Sequence, residues 1–328
     1  MLILPLTYPI NNLFYRGIEL SALSSFSGDS SIKVTIVTPV YNQASTLAET
    51  IESVLNQSYQ NVEYIIVNDG STDNTAEVLD AYSDQVRIIT QNNAGQAAAL
   101  NLAWGLASGE YFTYLSADDI IYPHCIETLI RSIDGQTLVY YPDYDLIDAQ
   151  SCKIRTTVMP EYNLRDLICG LICQPGLVAI FRADVFRITG GWDKTYQFIP
   201  DFEFWARVSN LGKFKRVPYS LGGFRVHDES GSVRSISLTA SDEIIRFVDE
   251  FEYPSFNRCK RGASFKALLI SARSHLQSGR FYFGIIRYIE SFKVDSRSAI
   301  KLTNLIFVLN GLFRSMYYRI RKSFILRR

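Results

Sequence analysis

Fully apolar runs and runs with a single apolar face alternate at short intervals along the first third of the chain. The segment IKVTIVTPV, Ile32–Val40, is β-branched and almost unbroken in hydrophobicity, as expected of a strand covered on both faces. STLAETIESVLNQ follows, with Leu47, Ile51, Val54 and Leu55 at helical spacing and Ser45 positioned as an N-cap. VEYIIVND is a second buried strand, and STDNTAEVLDAY opens with capping residues before Val78 and Leu79. VRIIT is a third strand, GQAAALNLAWGLASG an alanine-rich helix and EYFTYLSADD a fourth strand. Strand and helix in turn predict βαβ units, and so an α/β fold with a Rossmann-like, mostly parallel sheet flanked by helices.

Sheets of this kind bind ligands beyond the carboxyl ends of their strands. Those ends are Thr38–Asn42, Asn68–Ser71 and Ser116–Asp119. From about residue 136 the rhythm changes. Strand-like pieces, TLVYYPDYDLID and GLVAIFR, mix with loops and one helix, DFEFWARVSNLG. The last ninety or so residues read as helical, for example SFKALLISARSHLQSG. The predicted organisation is an irregular extension over 1–30, a domain over 31–235 divided near 135/136, and a helical C-terminal region over 236–328.

Composition narrows the classes. A chain of 328 residues suits one large domain with an appendage. Equal numbers of basic and acidic residues, 33 each, make nucleic acid an unlikely partner by charge. The five cysteines form no CxxC pair, and the odd count suits small buried hydrophobes in a reducing compartment. The opening MLILPLTYPINNLFYRG lacks a basic n-region, and LICGLICQPGLVAIF is broken by Gln174 and Pro175 and too short to span a bilayer. The expectation is a cytoplasmic protein. The C-terminal LTNLIFVLNGLFRSMYYRIRKSFILRR contains no acid. Peripheral contact with the inner face of a membrane explains it, as does a packed helix with a solvated basic face.

No GxGxxG follows the first strand, the TPVYNQ turn has no glycine, and no P-loop occurs. A diphosphate held here therefore needs another positive charge. Asp118 and Asp119 are adjacent acids at a strand end. Mg2+ or Mn2+ binds through one or two carboxylates, with water and phosphate completing the shell, and would offset the repulsion within the pair. A turn or helix cap accounts for the same two residues without a metal.

VTIVTPVYNQASTLAETIESVLNQSYQNVEYIIVNDGSTDNT, then NNAGQAAALN, then GEYFTYLSADD, closely resembles the family-2 glycosyltransferases, inverting enzymes with the GT-A fold. The resemblance continues through GGWD, DFEFWARVSNLGKFKRVP and FRVHDESGSV, and covers roughly residues 33–235. It implies a nucleotide-sugar-binding half over 31–135 and an acceptor-side half over 136–235. It implies that Thr38, Pro39 and Tyr41 line the base of a donor such as a UDP-sugar, and that Asp69 hydrogen-bonds that base. Asn93, Gly95, Ser116 and Arg225 join the donor contacts. Asp118 holds a divalent metal, Mn2+ or Mg2+, with Asp119 and His227 as further ligands. Asp201, four before Trp205 in a W-x-R pattern, is the general base. Trp192, Asp193 and Gln174 face a glycan or glycolipid acceptor, in polysaccharide or cell-envelope glycan synthesis. The chain departs from the family pattern at Asn68, Leu100, Ser116 and Pro200. Two other functions stay open on the residues: a sugar nucleotidyltransferase, and a nucleotide-sugar-binding module without catalysis.

Overall fold

A computed structural model describes residues 32–226, 236–252 and 256–325, with side chains as far as Phe313 at the C-terminal end. The expected 1–30 extension and His227 lie outside the described residues.

In chain order the first part runs β1 (Val34–Val40), α1 (Ala44–Leu55), β2 (Val62–Asn68), α2 (Thr75–Asp80), β3 (Arg87–Thr90), α3 (Gln96–Leu106) and β4 (Tyr111–Tyr114). β1 pairs in parallel with β2 and β4, from Val34 against Val62 and Tyr111, and β3 pairs in parallel with β2. Every residue of β1 is buried. Alternate side chains enter different cores: Val34 and Ile36 pack with Leu47, Ile51 and Ile126, while Val37 packs with Leu100, Trp104 and Phe112. The α1 helix begins one residue before the expected cap, Ser45. The amides at its entrance are met from outside: Gln43 N–H donates to Thr75 Oγ1 (3.2 Å) and Ala44 N–H to Asp73 Oδ2 (3.2 Å).

The second part runs β5 (Ile120–Ile121), α4 (Cys125–Arg131), β6 (Thr137–Ile147), β7 (Lys153–Thr157), α5 (Leu164–Ile168), β8 (Ile180–Arg182), α6 (Ala183–Thr189), α7 (Pro200–Val208) and β9 (Lys213–Arg225). The sheet order is β3-β2-β1-β4-β8-β6-β9-β5, with β7 paired to β6. Parallel pairing holds from β3 to β4. Beyond it β8 is antiparallel to both neighbours, so the complete sheet is mixed. This leaves the carboxyl ends of β1, β2 and β4 side by side, at the edge where sheets of this kind form their ligand crevice.

Four helices follow: α8 (Leu238–Glu250), α9 (Lys260–Gln277), α10 (Phe281–Ala299) and α11 (Leu302–Ile325). Phe247 and Val248 of α8 belong to the same core as Trp104, Phe204 and Trp205. Within that core Trp104 stacks on Phe204 at 6.2 Å and meets Phe181 edge-on at 5.3 Å. Truncating such a buried tryptophan to alanine costs roughly 3–5 kcal/mol. α9, α10 and α11 share a smaller cluster of Phe265, Leu269, Leu276 and Val308. Among the described residues no helix is long and apolar enough to cross a membrane.

The cysteines depart from expectation. Cys125 is a buried free thiol, but Cys169, at the end of α5, and Cys259, at the start of α9, form a disulfide. The two lie 90 residues apart, so only the packing of α9 against the second half brings them together.

Candidate active site

One wall of the crevice is made by the strand ends. After β1 the chain turns at Asn42, a non-glycine residue with positive φ (54°), whose Oδ1 accepts the Thr72 N–H at 2.7 Å. The turn is thereby tied to the loop after β2. Of the three residues expected to line a base, Tyr41 is exposed, while Thr38 and Pro39 are buried in β1. The Thr38 hydroxyl lies 2.9 Å from Tyr64 Oη in the interior, so its side chain supports the strand rather than the crevice. Asp69 has both carboxylate oxygens engaged. Oδ1 accepts Gln91 Nε2–H (2.7 Å) and Ala94 N–H (2.8 Å), and Oδ2 accepts Gly95 N–H (2.8 Å). The charge of Asp69 thus fixes the loop that enters α3 and presents exposed Asn93 and Gly95 at the rim. Gly95 adopts φ 88°, a conformation that favours glycine.

After β4, a turn closed by Asp119 N–H to Ser116 C=O (3.1 Å) carries half-buried Ser116 and Asp118 and buried Asp119. Asp119 Oδ1 accepts the Arg225 N–H at 2.8 Å, and its carbonyl accepts the Thr50 hydroxyl at 2.8 Å. Burial, and then the charge of Asp118, push the Asp119 carboxyl well above the usual range. Arg225 does not offer its charge to a phosphate. It is buried, its Nε–H donates to Asp118 C=O (2.7 Å), Nη1 reaches Ser151 Oγ (2.8 Å) and Nη2 pairs with Glu49 (2.7 Å). This corrects the expected donor contact: the guanidinium holds the acidic turn in place from behind.

The two carboxylates suit a hard divalent cation. They are oxygen donors, one is half-exposed, and the buried one is disfavoured as an anion until a positive charge approaches. Among the described residues no group of three or more His, Cys, Asp or Glu could hold a metal ion.

The other wall is built from α7 and the loop before it. Asp201 stands in the first turn of α7 after Pro200 and is half-buried. Burial raises its carboxyl above the usual range, and backbone N–H groups of its own turn draw it partly back. The Tyr114 hydroxyl is pushed well above its ordinary value by burial, then by the charges of Asp201, Cys173 and Asp119.

Three long-range contacts hold this second wall. Asn101 of α3 exchanges hydrogen bonds with the Trp192 backbone, Nδ2 to C=O at 2.7 Å and N–H to Oδ1 at 2.9 Å. Gly191 lies so close that an added Cβ would sit 2.2 Å from Asn101 Oδ1. Arg207 donates to Thr189 C=O (2.8 Å) and Gly191 C=O (2.6 Å) while paired with Glu203. Glu243 of α8, buried, accepts the N–H groups of Gln197 (2.7 Å), Phe198 (2.8 Å) and Ile199 (3.2 Å), the three residues before Pro200. Glu243 carries no signal in the sequence, and Asn101 closes the NNAGQAAALN stretch without any sign of its partner at Trp192.

The expected acceptor contacts separate. Trp192 is buried edge-on against Tyr114 at 5.0 Å and fills core, so it presents no face for a sugar to stack on. Gln174 is fully buried and donates to Asn163 C=O at 2.9 Å. Trp192 is covered by packing between α3, β4 and the Gly190–Trp192 loop, and Gln174 is buried where its loop meets the residue before α5. Asp193 remains half-exposed, its Oδ1 accepting the Thr195 N–H.

Residues 35–167 match the family model described as "Glycosyl transferase family 2". Among solved structures, S. aureus TarS 1–349 in complex with UDP-GlcNAc has TM-score 0.59 at 16% identity, over 86% of this chain and 80% of that one. The mannosyltransferase PcManGT from Pyrobaculum calidifontis, in complex with GDP-Man and Mn2+, has TM-score 0.55 at 14% identity, over 94% of each chain. At these identities the likeness concerns the GT-A fold. An uncharacterized glycosyltransferase of Rickettsia felis is 34% identical over 212 residues, 61% of this chain but only 35% of that protein, so the match spans about a third of that relative. An uncharacterized glycosyltransferase of Haemophilus influenzae is 31% identical over 219 residues, 61% of this chain and 67% of its own length. With a relative matched over two thirds of its extent and the family pattern running through both β1 and the acidic turn, this chain belongs to glycosyl transferase family 2.

Proposed function

We propose that the protein moves a sugar, with inversion, from a nucleoside-diphosphate-sugar, UDP-linked, to a hydroxyl of a glycan or lipid-linked acceptor in cell-envelope polysaccharide assembly. The observation that carries this is the set of acids brought to the end of β4: a carboxylate doublet in the turn after it, and Asp201 opening α7, whose preceding Gly190–Trp192 loop packs on Tyr114 at 5.0 Å. Solved relatives of the same fold bound to UDP-GlcNAc, or to GDP-Man and Mn2+, support the donor class and the cation.

In this reading Tyr41, Asn93, Gly95 and Ser116 contact the donor, and Asp69 shapes that side by fixing the 91–95 loop. Asp118 and Asp119 hold Mn2+ or Mg2+, which when bound offsets the charge of the diphosphate and of its departure. His227 lies outside the described residues and stays a proposed ligand. Asp201 takes the proton of the acceptor hydroxyl as that oxygen attacks the anomeric carbon. The bond from the anomeric carbon to the phosphate oxygen breaks, and its electron pair leaves with the nucleoside diphosphate. A single carboxylate suffices for this displacement, whereas a double displacement needs a second group as nucleophile. Asp193 stands at the acceptor side.

The test is a panel of nucleotide-sugars with and without Mn2+, reading nucleoside diphosphate release and the anomeric configuration of the product. Release that needs the cation, is lost in Asp118→Ala and gives an inverted product is expected. Pyrophosphate release from a nucleoside triphosphate would instead make the protein a nucleotidyltransferase. Cation-dependent turnover at the wild-type rate in Asp118→Ala would remove the metal assignment.

A further inference from the structure

The proposed transfer chemistry makes no use of an unusual surface on the C-terminal helices. Tyr282, Ile285 and Ile289 follow one another at i, i+3 and i+7 along α10, and each is more than half exposed. The opposite side of the helix is packed, with Gly284 against Leu276 and Ser291 buried. A helix already seated on its neighbour gains nothing in water from a second apolar stripe. At the far end of α10, Ile300 and Leu302 are 71% and 68% exposed.

Charge is distributed with the same bias. Residues 256–328 carry sixteen lysines and arginines against two acids, Glu290 and Asp295. The chain as a whole is neutral, so the remainder bears the matching negative excess. Lys293 is exposed on the same helix as the stripe, and Arg297 and Lys301, also exposed, follow a non-helical break at Asp295 (φ −150°, ψ 90°) before Leu302.

We infer that α10 and the start of α11 dock the protein on a bilayer containing anionic lipid. Tyr282, Ile285 and Ile289 seat at the boundary between headgroups and acyl chains, and Lys293, Arg297 and Lys301 meet the headgroup phosphates. A bilayer fits both properties at once, since apolar insertion and attraction to anionic lipid reinforce each other. A second copy of the chain would bring two strongly basic faces together. Nucleic acid would pair with the cations but leave the aliphatic side chains in water. The inference does not depend on the transfer reaction, and its test needs no turnover.

The full chain is sedimented with vesicles of phosphatidylcholine, with and without 30 mol% phosphatidylglycerol, at about 0.1 M and 1 M salt. Binding at least about tenfold stronger to the anionic vesicles, and falling at high salt, is expected. Tyr282→Ser/Ile285→Ser/Ile289→Ser should weaken it about tenfold or more, with far-UV circular dichroism and nucleotide-sugar turnover unchanged. Lys293→Glu/Arg297→Glu/Lys301→Glu should weaken binding to the anionic vesicles alone. Equal binding to both vesicle types overturns the inference. So does wild-type binding by both triple variants, or lipid-free self-association that the serine variant abolishes.

Discussion

The two walls of the crevice are built by different means. The donor-side wall is mostly local: Asn42 and Asp69 are fastened to loops at the ends of the same parallel strands, and only the Ser116–Asp119 turn is also clasped from afar, by Arg225. The Asp201 wall is held from a distance, by Asn101 across 91 residues and by Glu243 across 44 to 46. A wall fixed by its own strands is rigid wherever the sheet forms. One fixed by remote side chains has its position decided elsewhere in the chain. Damage on the first side should therefore appear as weakened donor binding, and damage on the second as slower chemistry.

The largest effect is expected from Asp201→Asn, which keeps the shape and removes the proposed base. Its kcat should fall about a hundred- to ten-thousand-fold, with donor affinity by calorimetry unchanged. Because burial raises this carboxyl in the folded state, the wild-type kcat should decline on acidification with an inflection above the ordinary aspartate value of about 3.9. The stability contribution has the opposite sense. A carboxyl raised on folding binds its proton more tightly in the native state, so its contribution is complete in acid and is lost as pH rises through the folded value. Asp201→Asn should accordingly be no less stable than wild type at neutral pH. A clear loss of stability would mean that Asp201 is mainly a helix-end residue.

Next in size is Glu243→Ala, a residue whose role runs through the 197–199 backbone it holds. It strands three backbone N–H groups and should cost roughly 2 kcal/mol or more in urea unfolding. It should also lower kcat about tenfold through a displaced α7, with donor KM little changed. Glu243→Gln keeps an acceptor oxygen and should recover part of both losses. A change confined to donor KM would break the contrast between the walls.

The smallest effect belongs to Asp69→Asn. It retains one acceptor oxygen but loses the charge that steadies the 91–95 loop, a cost of about 1 kcal/mol. Donor KM should rise about threefold to tenfold while kcat stays near wild type. If kcat falls instead, the donor-side loop takes part in the chemical step.

What the sequence discloses divides along the same line. The β1, β2 and β4 strands and the acidic turn could be read because periodicity and turn residues are local properties. The later, mixed half of the sheet was only sketched, since β8 and β9 owe their places to partners far along the chain. Arg225 shows how a correct observation can mislead. An arginine in a loop near a phosphate site invites that pairing, but Glu49, 176 residues earlier, claims its Nη2. Trp192 and Gln174 have chemistry suited to sugars, and only packing reveals that they are covered. Glu243 looks like one acid among many on an amphipathic helix until the 197–199 backbone is seen against it.

The Cys169–Cys259 bridge encloses 170–258, and this span contains the Gly190–Trp192 loop, Asp201, Arg207, the Arg225 clasp and Glu243. A crosslink closing some 90 residues withdraws loop-closure entropy from the denatured chain, on the order of 4–5 kcal/mol in the polymer model. Much of that restraint falls on the Asp201 wall, and part of it on the Arg225 clasp of the acidic turn. Thiol reductants should therefore loosen the Asp201 wall first, while the β1–β2–β3 part of the sheet keeps its shape.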